Sequence, residues 1–207
     1  MSAAPASALA EARLAAHHGP LLLGVAADSI RHGLAHGTPL PVVPADYPAE
    51  LREPHGVFVT LERRGDVRGC VGRLRQLRPV VQEVADNAFA AGFLDDRFPP
   101  LAAEELEDLT VQVSLLTPPR PIRFRSEAEL LAQLVPGRDG LILKLGWASG
   151  LFLPAVWDDL PEPAAFLRHL KRKAGLPGQG LLPGTRAFRF YAECVSAGWS
   201  PELTRVR

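Results

Sequence analysis

Apolar and polar residues alternate along two neighbouring segments in the first third of the chain. In "GVFVTLE" (56–62) every second residue is a branched aliphatic, which is typical of a strand with one buried face. The turn residues "RRGD" follow, and "VRGCVG" (67–72) then predicts the second arm of a β-hairpin. Further strands are predicted in "LTVQVSLLTPP", "GLILKLG", "SGLFLPAVW" and "RAFRFYAECV".

Helical periodicity predicts five other segments. Two helices are expected near the start, at Ala6 to His17 and Leu21 to Ala35, and a third from Pro79 to Leu94. "SEAELLAQL" predicts a short helix that Ser126 caps, and "EPAAFLRHLKRKAG" predicts one closed by Gly175. Because strands and helices mix without strict alternation, the pattern favours an α+β fold with antiparallel sheet.

Composition narrows the class of protein. The 207 residues are 47% hydrophobic, which suits a globular core, and 23 basic residues balance 23 acidic ones. This balance favours neither a membrane surface nor nucleic acid. The N-terminus lacks the basic and apolar regions of a signal peptide, and the apolar run "LLLGVAA" is too short to span a bilayer. Two cysteines form no disulfide framework, so a cytoplasmic protein with free thiols is predicted.

The segment "VRGCVG" holds the first candidate chemistry. Side chains alternate across a strand, so Arg68 and Cys70 are expected on one face, where the guanidinium would favour the thiolate. Gly69 and Gly72 would let a ligand or a second lobe approach the backbone closely. The alternative is packing, with Cys70 a small core residue and Gly69 at a β-bulge.

The segment "DDRFPPL" (95–101) is the second candidate. Arg97 follows an apolar helix and could hold an anion or pair with a neighbouring carboxylate; the alternative is a helix terminus with a rigid exit. The chain has no phosphate loop, dinucleotide fingerprint or GxSxG elbow. The scattered histidines and cysteines predict no metal site, and the sequence does not identify a cofactor.

Charge is segregated along the chain although the total is zero. Six arginines and one acid lie between Arg63 and Arg78, whereas eight acids and one arginine lie between Glu83 and Asp108. A second basic segment runs from Arg168 to Lys173. These segments predict salt-sensitive docking surfaces for partner proteins, with solvated surface charge as the alternative. Aromatic residues that could stack on bases are sparse, so nucleic acid is not expected as a partner.

Several motifs together resemble one known family. "VRGCVG" resembles the LRGCIG hallmark of the AMMECR-domain family, and "DDRFPPL" is similar to its second signature. "VQVSLLTPP", "GLFLPAVW" and "LKRKAG" follow in the family's order and spacing, so the similarity runs from about Leu21 to Val195. The chain departs from the family at Ala155, where the LPxV motif often has Gln or Glu.

The resemblance implies a single AMMECR-type domain over residues 1–207. It implies two unequal lobes, each with an antiparallel sheet flanked by helices, and a cleft between them that the hallmark strand faces. The thiol and the guanidinium expected on one strand face make Cys70 and Arg68 the candidate catalytic residues, and both positions match the hallmark of the family. The candidate substrate-binding residues are Gly69, Gly72, Arg97 and Lys173.

The resemblance also suggests partners, though no established reaction. Single-domain bacterial and archaeal members stand in some genomes beside a radical SAM protein and a Memo-type protein, an association labelled AmmeMemoRadiSam. The expected function is therefore a component of such a modification system, with a substrate cleft at the RGCVG motif. The alternative is a non-catalytic binding or scaffold module that presents a peptide, nucleic acid or metabolite to partner proteins.

Overall fold

The structure, a computed structural model, describes residues 14–74, 78–178 and 180–204. The chain divides into two compact units. The first comprises Met1–Leu116 and Glu193–Arg207, and the second comprises Thr117–Ala192.

The first unit is built on a four-stranded sheet. Its strands are β1 (Gly56–Arg63), β2 (Asp66–Arg73), β3 (Leu109–Leu116) and β8 (Ala192–Gly198), in the order β2-β1-β3-β8. Strand β1 pairs antiparallel with both β2 and β3. This order leaves β2, the strand that carries "VRGCVG", at one edge of the sheet.

Two helices cover one face of this sheet. They are α1 (Leu14–His36) and α2 (Val80–Phe93), and their apolar residues join one core with Val57, Val59 and Leu61 of β1. These three side chains are fully buried, as the alternation of β1 predicts. The intervening side chains of β1, which are Phe58, Thr60 and Glu62, are only half-buried on the opposite face of the sheet.

The predicted hairpin of β1 and β2 is confirmed, with an irregularity. Arg64 and Gly65 form the turn with φ of 55° and 90°, the left-handed conformation that tight hairpins require. The register then shifts: Leu61 lies opposite Gly69, but the next residue of β1 lies opposite Val67. Arg68 is therefore the extra residue of a β-bulge.

The second unit has its own antiparallel sheet. Its strands are β4 (Arg120–Ile122), β5 (Gly140–Leu145), β6 (Ala148–Phe152) and β7 (Arg186–Phe190), in the order β4-β7-β5-β6. The helices are α3 (Glu127–Leu131), α4 (Val156–Asp159) and α5 (Pro163–Lys173). Trp157 and Phe166 stack in the core with ring centroids 3.7 Å apart and an interplanar angle of 3°.

The start of the chain differs from the prediction. Two helices were expected, at 6–17 and 21–35, but one helix runs from Leu14 to His36 through Pro20. Residues 6–13 lie outside the described part of the chain. Ala15 and Leu22, on either side of Pro20, are buried in the same core. Shared packing thus outweighs the hydrogen bond that the proline removes.

Two of the predicted strands also differ from the structure. "RAFRFYAECV" is two strands, β7 and β8, which belong to different sheets. Tyr191 lies between them. Its carbonyl accepts a hydrogen bond from the Thr117 amide, and its amide donates one to the Thr117 hydroxyl, each 2.9 Å long. The end of "SGLFLPAVW" enters helix α4 rather than continuing as a strand, because Val156 and Trp157 donate to the carbonyls three residues earlier.

The predicted fold class, α+β with two antiparallel sheets and helices, is confirmed. The cleft and the single-domain boundary stay predictions. In the described part of the chain, no helix has the length and hydropathy needed to cross a membrane.

Candidate functional site

Cys70 lies on the edge strand β2, opposite Thr60 of β1. Its thiol is 3.2 Å from the Thr60 hydroxyl, on the half-buried polar face of the sheet. Its backbone N–H points away from β1 and donates to Asp95 Oδ2 at 2.9 Å. A side chain therefore takes the hydrogen bond that a further strand would otherwise form.

Asp95 and Arg97 form a fork that holds this edge. Arg97 Nε and Nη2 donate to the two Asp95 oxygens at 2.9 and 2.6 Å, and Nη2 also reaches the Cys70 carbonyl at 3.5 Å. The hydrogen bond from Arg97 holds the pKa of Asp95 far below its usual range, against the effect of burial. The Cys70 amide lowers this pKa further. The arginine that contacts Cys70 is thus Arg97.

Arg68 is directed elsewhere. Its Nε and Nη2 donate to the two oxygens of Glu105 at 2.8 and 2.9 Å, and Nη2 also donates to the Pro99 carbonyl at 2.9 Å. The Arg68 side chain is only 10% exposed, so this bidentate pair is largely buried. The bulge interrupts the alternation that predicted Arg68 beside Cys70, and Glu105 neutralises its charge. A catalytic role of Arg68 stays a prediction.

Glu105 is a site residue that the sequence reasoning missed. The hydrogen bonds from Arg68 lower its pKa to about 2, and the Ala102 amide and the charge of Arg63 act in the same direction. Its signal in the sequence is weak: it is an acid three residues after Ala102, at the start of a 3-10 turn, within an acidic run. Nothing in that run marks which carboxylate reaches Arg68.

The two glycines of "VRGCVG" lie against the protein's own atoms. A Cβ on Gly69 would come within 2.0 Å of the Ala91 carbonyl oxygen of α2. A Cβ on Gly72 would meet Val57 O at 2.2 Å and Phe58 Cα at 2.5 Å. Packing, the alternative considered for the sequence, therefore accounts for both glycines. Their part in substrate binding stays a prediction.

The second cysteine has a similar hydroxyl neighbour. Cys194 of β8 places its thiol 3.2 Å from the Ser114 hydroxyl of β3. Cys194 is exposed, whereas Cys70 is half-buried. Accessibility therefore favours the Cys194 thiol, and a catalytic role of Cys70 stays a prediction.

Lys173, the last candidate, belongs to the second unit. It is the final residue of α5, is exposed, and places Nζ 5.2 Å from the Phe152 ring centroid. The structure brings together the other five candidates, which are Arg68, Gly69, Cys70, Gly72 and Arg97, within the first unit.

The segregated charges largely pair with one another. Arg64 binds Asp108 at 2.7 Å, and Arg78 binds Asp86. Lys171, predicted to contribute to a basic docking surface, is instead buried, and its amine binds Glu127 at 2.9 Å. Of the arginines considered for docking, Arg73 is exposed, and Arg75 lies outside the described residues.

Sequence and structural comparisons agree with the fold and motifs described above. A protein-family sequence model described as AMMECR1 matches residues 23–195 of this chain. A protein of Methanothermobacter thermautotrophicus is 42% identical over 157 residues, 73% of this chain and 80% of its own. A protein of Thermococcus gammatolerans is 44% identical over 161 residues, 72% and 76% of the two chains.

A solved structure is also similar. The crystal structure of uncharacterized protein PH0010 from Pyrococcus horikoshii matches with a TM-score of 0.78 and 36% identity, over 87% of this chain and 92% of that one. The fold and motifs thus define a mixed α/β protein with two antiparallel sheets. The chain belongs to the AMMECR1 family.

Proposed function

We propose that this AMMECR1-family protein holds a substrate for a modification system in which a radical SAM protein and a Memo-type protein act with it. The substrate-contacting surface is the polar face and edge of the first sheet around Cys70. The choice of these two partners is based on the family resemblance. The surface rests on the geometry of the edge strand.

The main support for this proposal is that Asp95 and Arg97 hold the backbone of Cys70 in place. Asp95 accepts from its amide at 2.9 Å, and Arg97 reaches its carbonyl at 3.5 Å, so both backbone groups are engaged from one side. Cys70 itself is half-buried, with its thiol 3.2 Å from the Thr60 hydroxyl. A side chain whose backbone is fixed in this way suits binding, since little conformational freedom is lost when a ligand meets it.

The carboxylates near the motif favour holding a substrate over self-contained catalysis. The pKa of Asp95 lies far below its usual range because of Arg97, and that of Glu105 lies at about 2 because of Arg68. Carboxylates with such low pKa values are poor general bases at neutral pH. Neither is therefore suited to activate the Cys70 thiol, and the reactive chemistry is assigned to the partners.

Co-purification from the native host tests the proposal. The tagged full-length chain is expressed as wild type, as Cys70→Ser and as Cys194→Ser, and bound proteins and small molecules are identified by mass spectrometry. We expect the radical SAM or Memo-type protein with the wild type and the Cys194→Ser control, and a loss with Cys70→Ser. Recovery of neither partner at low salt, or turnover of a substrate by the isolated chain, would count against the proposal.

The alternative module that presents a ligand without chemistry differs in one outcome. Such a module would retain a peptide, nucleic acid or metabolite through purification and would bring down neither a radical SAM protein nor a Memo-type protein. The same mass spectrometry distinguishes the two functions, because it records small molecules and proteins together.

A further inference from the structure

Two histidines lie one turn apart at the C-terminal end of helix α1. His32 and His36 are separated by four positions, so their side chains lie on the same face of the helix. Their ring centroids are 4.4 Å apart, with an interplanar angle of 48°. His36 is exposed and His32 is half-buried, so solvent reaches the pair. This spacing suits two imidazoles that bind one metal ion from the same side.

A hydrogen bond fixes the tautomer of His32. Its Nδ1 lies 2.8 Å from the carbonyl oxygen of Thr38. A carbonyl oxygen only accepts, so Nδ1 carries a proton, and the lone pair of the neutral imidazole is then on Nε2. Metal-binding histidines almost always donate their other ring N–H to such a partner, which orients the ring and raises the basicity of the ligand. The His32 ring is therefore held in the tautomer that a metal ligand needs.

The ring nitrogens that would bind a metal are not engaged elsewhere. Among the described residues, no hydrogen bond or ion pair involves Nε2 of His32 or either ring nitrogen of His36. Spacing alone does not distinguish such a pair from two surface histidines, and the sequence therefore predicted no metal site. The contact between the rings and the Thr38 hydrogen bond supply the distinction.

The end of the helix adds an electrostatic preference for a cation. Helix α1 ends at His36, and Gly37 closes it with φ of 69° and an amide that donates to the carbonyl four residues earlier at 2.9 Å. The last carbonyl groups of a helix carry partial negative charge, which stabilises positive charge in the last turn. The guanidinium next to His32 along the chain does not compensate this charge, because Arg31 donates to the carbonyls of Ser200 and Leu203.

We propose that His32 and His36 bind a divalent transition metal ion of the late first row, such as Zn²⁺ or Ni²⁺. The ligands are Nε2 of His32 and a ring nitrogen of His36, and water fills the remaining positions. Imidazole suits these metals, with metal–nitrogen distances of about 2.0–2.1 Å. The exposed His36 ring can turn about its side-chain torsions to meet an ion held by His32. This site is independent of the function proposed for the edge strand around Cys70.

Calorimetric titration of the untagged full chain with Ni²⁺ tests this site. We expect saturable binding to the wild type. His36→Gln and His32→Gln should each weaken it at least about tenfold, because loss of even an outer partner of a metal site costs about 10- to 100-fold. His169→Gln is the matched control, since His169 has no histidine four residues away on its helix. Its affinity for Ni²⁺ should stay within about twofold of wild type.

Thermal unfolding supplies a second measurement. An ion that binds only the folded chain raises its melting temperature, so Zn²⁺ should stabilise the wild type and His169→Gln but not His36→Gln. Because His36 is exposed, its replacement should leave the fold intact, and circular dichroism without metal checks this.

Three results would overturn the proposal. The first is the absence of saturable Ni²⁺ binding to the wild type, and the second is an equal loss of affinity in His169→Gln. The third is a loss in His17→Gln with none in His36→Gln. That result would place the ion at His17 and His18, whose ring centroids are 5.0 Å apart but which are adjacent along the helix.

Discussion

The carboxylate of Asp95 accepts a hydrogen bond from the backbone amide of Cys70 at 2.9 Å. Asp95 lies just after α2, and Cys70 lies on the edge strand β2, so this contact ties the helix exit to the sheet edge. Arg97 engages both Asp95 oxygens and keeps the carboxylate ionised. The "DDRFPPL" and "VRGCVG" motifs are therefore joined by direct hydrogen bonds.

Replacement of Asp95 tests whether its contacts stabilise the edge strand β2. Asp95→Asn removes the charge that holds Arg97 while keeping an acceptor for the Cys70 amide, so we expect destabilisation by about 1–3 kcal/mol in urea unfolding. Asp96→Asn is the matched control, because Asp96 is exposed and should change stability by less than about 0.5 kcal/mol. Equal effects of the two substitutions would mean that Asp95 does not brace the edge.

The pair of Arg68 and Glu105 predicts an acid-sensitive stability. The folded pKa of Glu105 is lowered to about 2 from a usual value of 4.5, so its contribution is present above pH 4.5. This contribution is lost as the pH falls towards 2. Glu105→Gln should cost about 3–5 kcal/mol at neutral pH, since it leaves Arg68 buried without its partner. The difference from wild type should shrink in acid; a difference that is constant with pH would contradict this assignment.

Gly69 should tolerate no side chain. A Cβ there would lie 2.0 Å from the Ala91 carbonyl oxygen, so Gly69→Ala must shift α2 or β2 and should destabilise by about 1–3 kcal/mol or more. Gly198→Ala is the matched control, because Gly198 lies in β8 of the same sheet with open space around its Cβ position. Thermal unfolding of both variants checks the prediction. Similar melting temperatures would show that helix–strand packing does not require Gly69.

Alkylation rates compare the two thiols. We expect Cys70 to react faster than Cys194, because Arg97 places a guanidinium 3.5 Å from the Cys70 carbonyl, whereas Cys194 follows an acidic residue, Glu193. Rates are measured against pH in the Cys70→Ser and Cys194→Ser variants, which isolate each thiol. Arg97→Gln should slow Cys70 and leave Cys194 unchanged. A native Cys70 no faster than Cys194 would remove the main chemical support for a reactive motif.

The sequence predicted the local elements better than the contacts between them. The alternation in "GVFVTLE" gave a strand with the correct buried face, and the turn at Arg64 and Gly65 followed from "RRGD". Ser126 caps its helix as predicted, since its hydroxyl accepts from the Glu129 amide. These features depend on neighbouring residues, whose spacing the sequence displays directly.

What the sequence did not predict depends on distant partners. A bulge at Arg68 cannot be located from alternation alone, and its partner Glu105 is 37 residues away. The change of sheet at Tyr191 left no mark in the pattern, because both sheets accept the same alternation of apolar and polar residues. A neighbouring carboxylate was one of the two partners predicted for Arg97, and Asp95 is that carboxylate. The contact of Arg97 with the Cys70 carbonyl could not be predicted, because it depends on the packing of the helix exit against β2.

Site-specific crosslinking from Cys70 tests the central proposal most directly. A photoreactive group is attached to Cys70 in a Cys194→Ser background, and to Cys194 in a Cys70→Ser background as the control. After irradiation in native host extract, crosslinked chains are identified by mass spectrometry. The account predicts a radical SAM or Memo-type protein, or a substrate common to them, crosslinked at Cys70 and not at Cys194. The same set of proteins from both positions, or neither partner at Cys70, would contradict it.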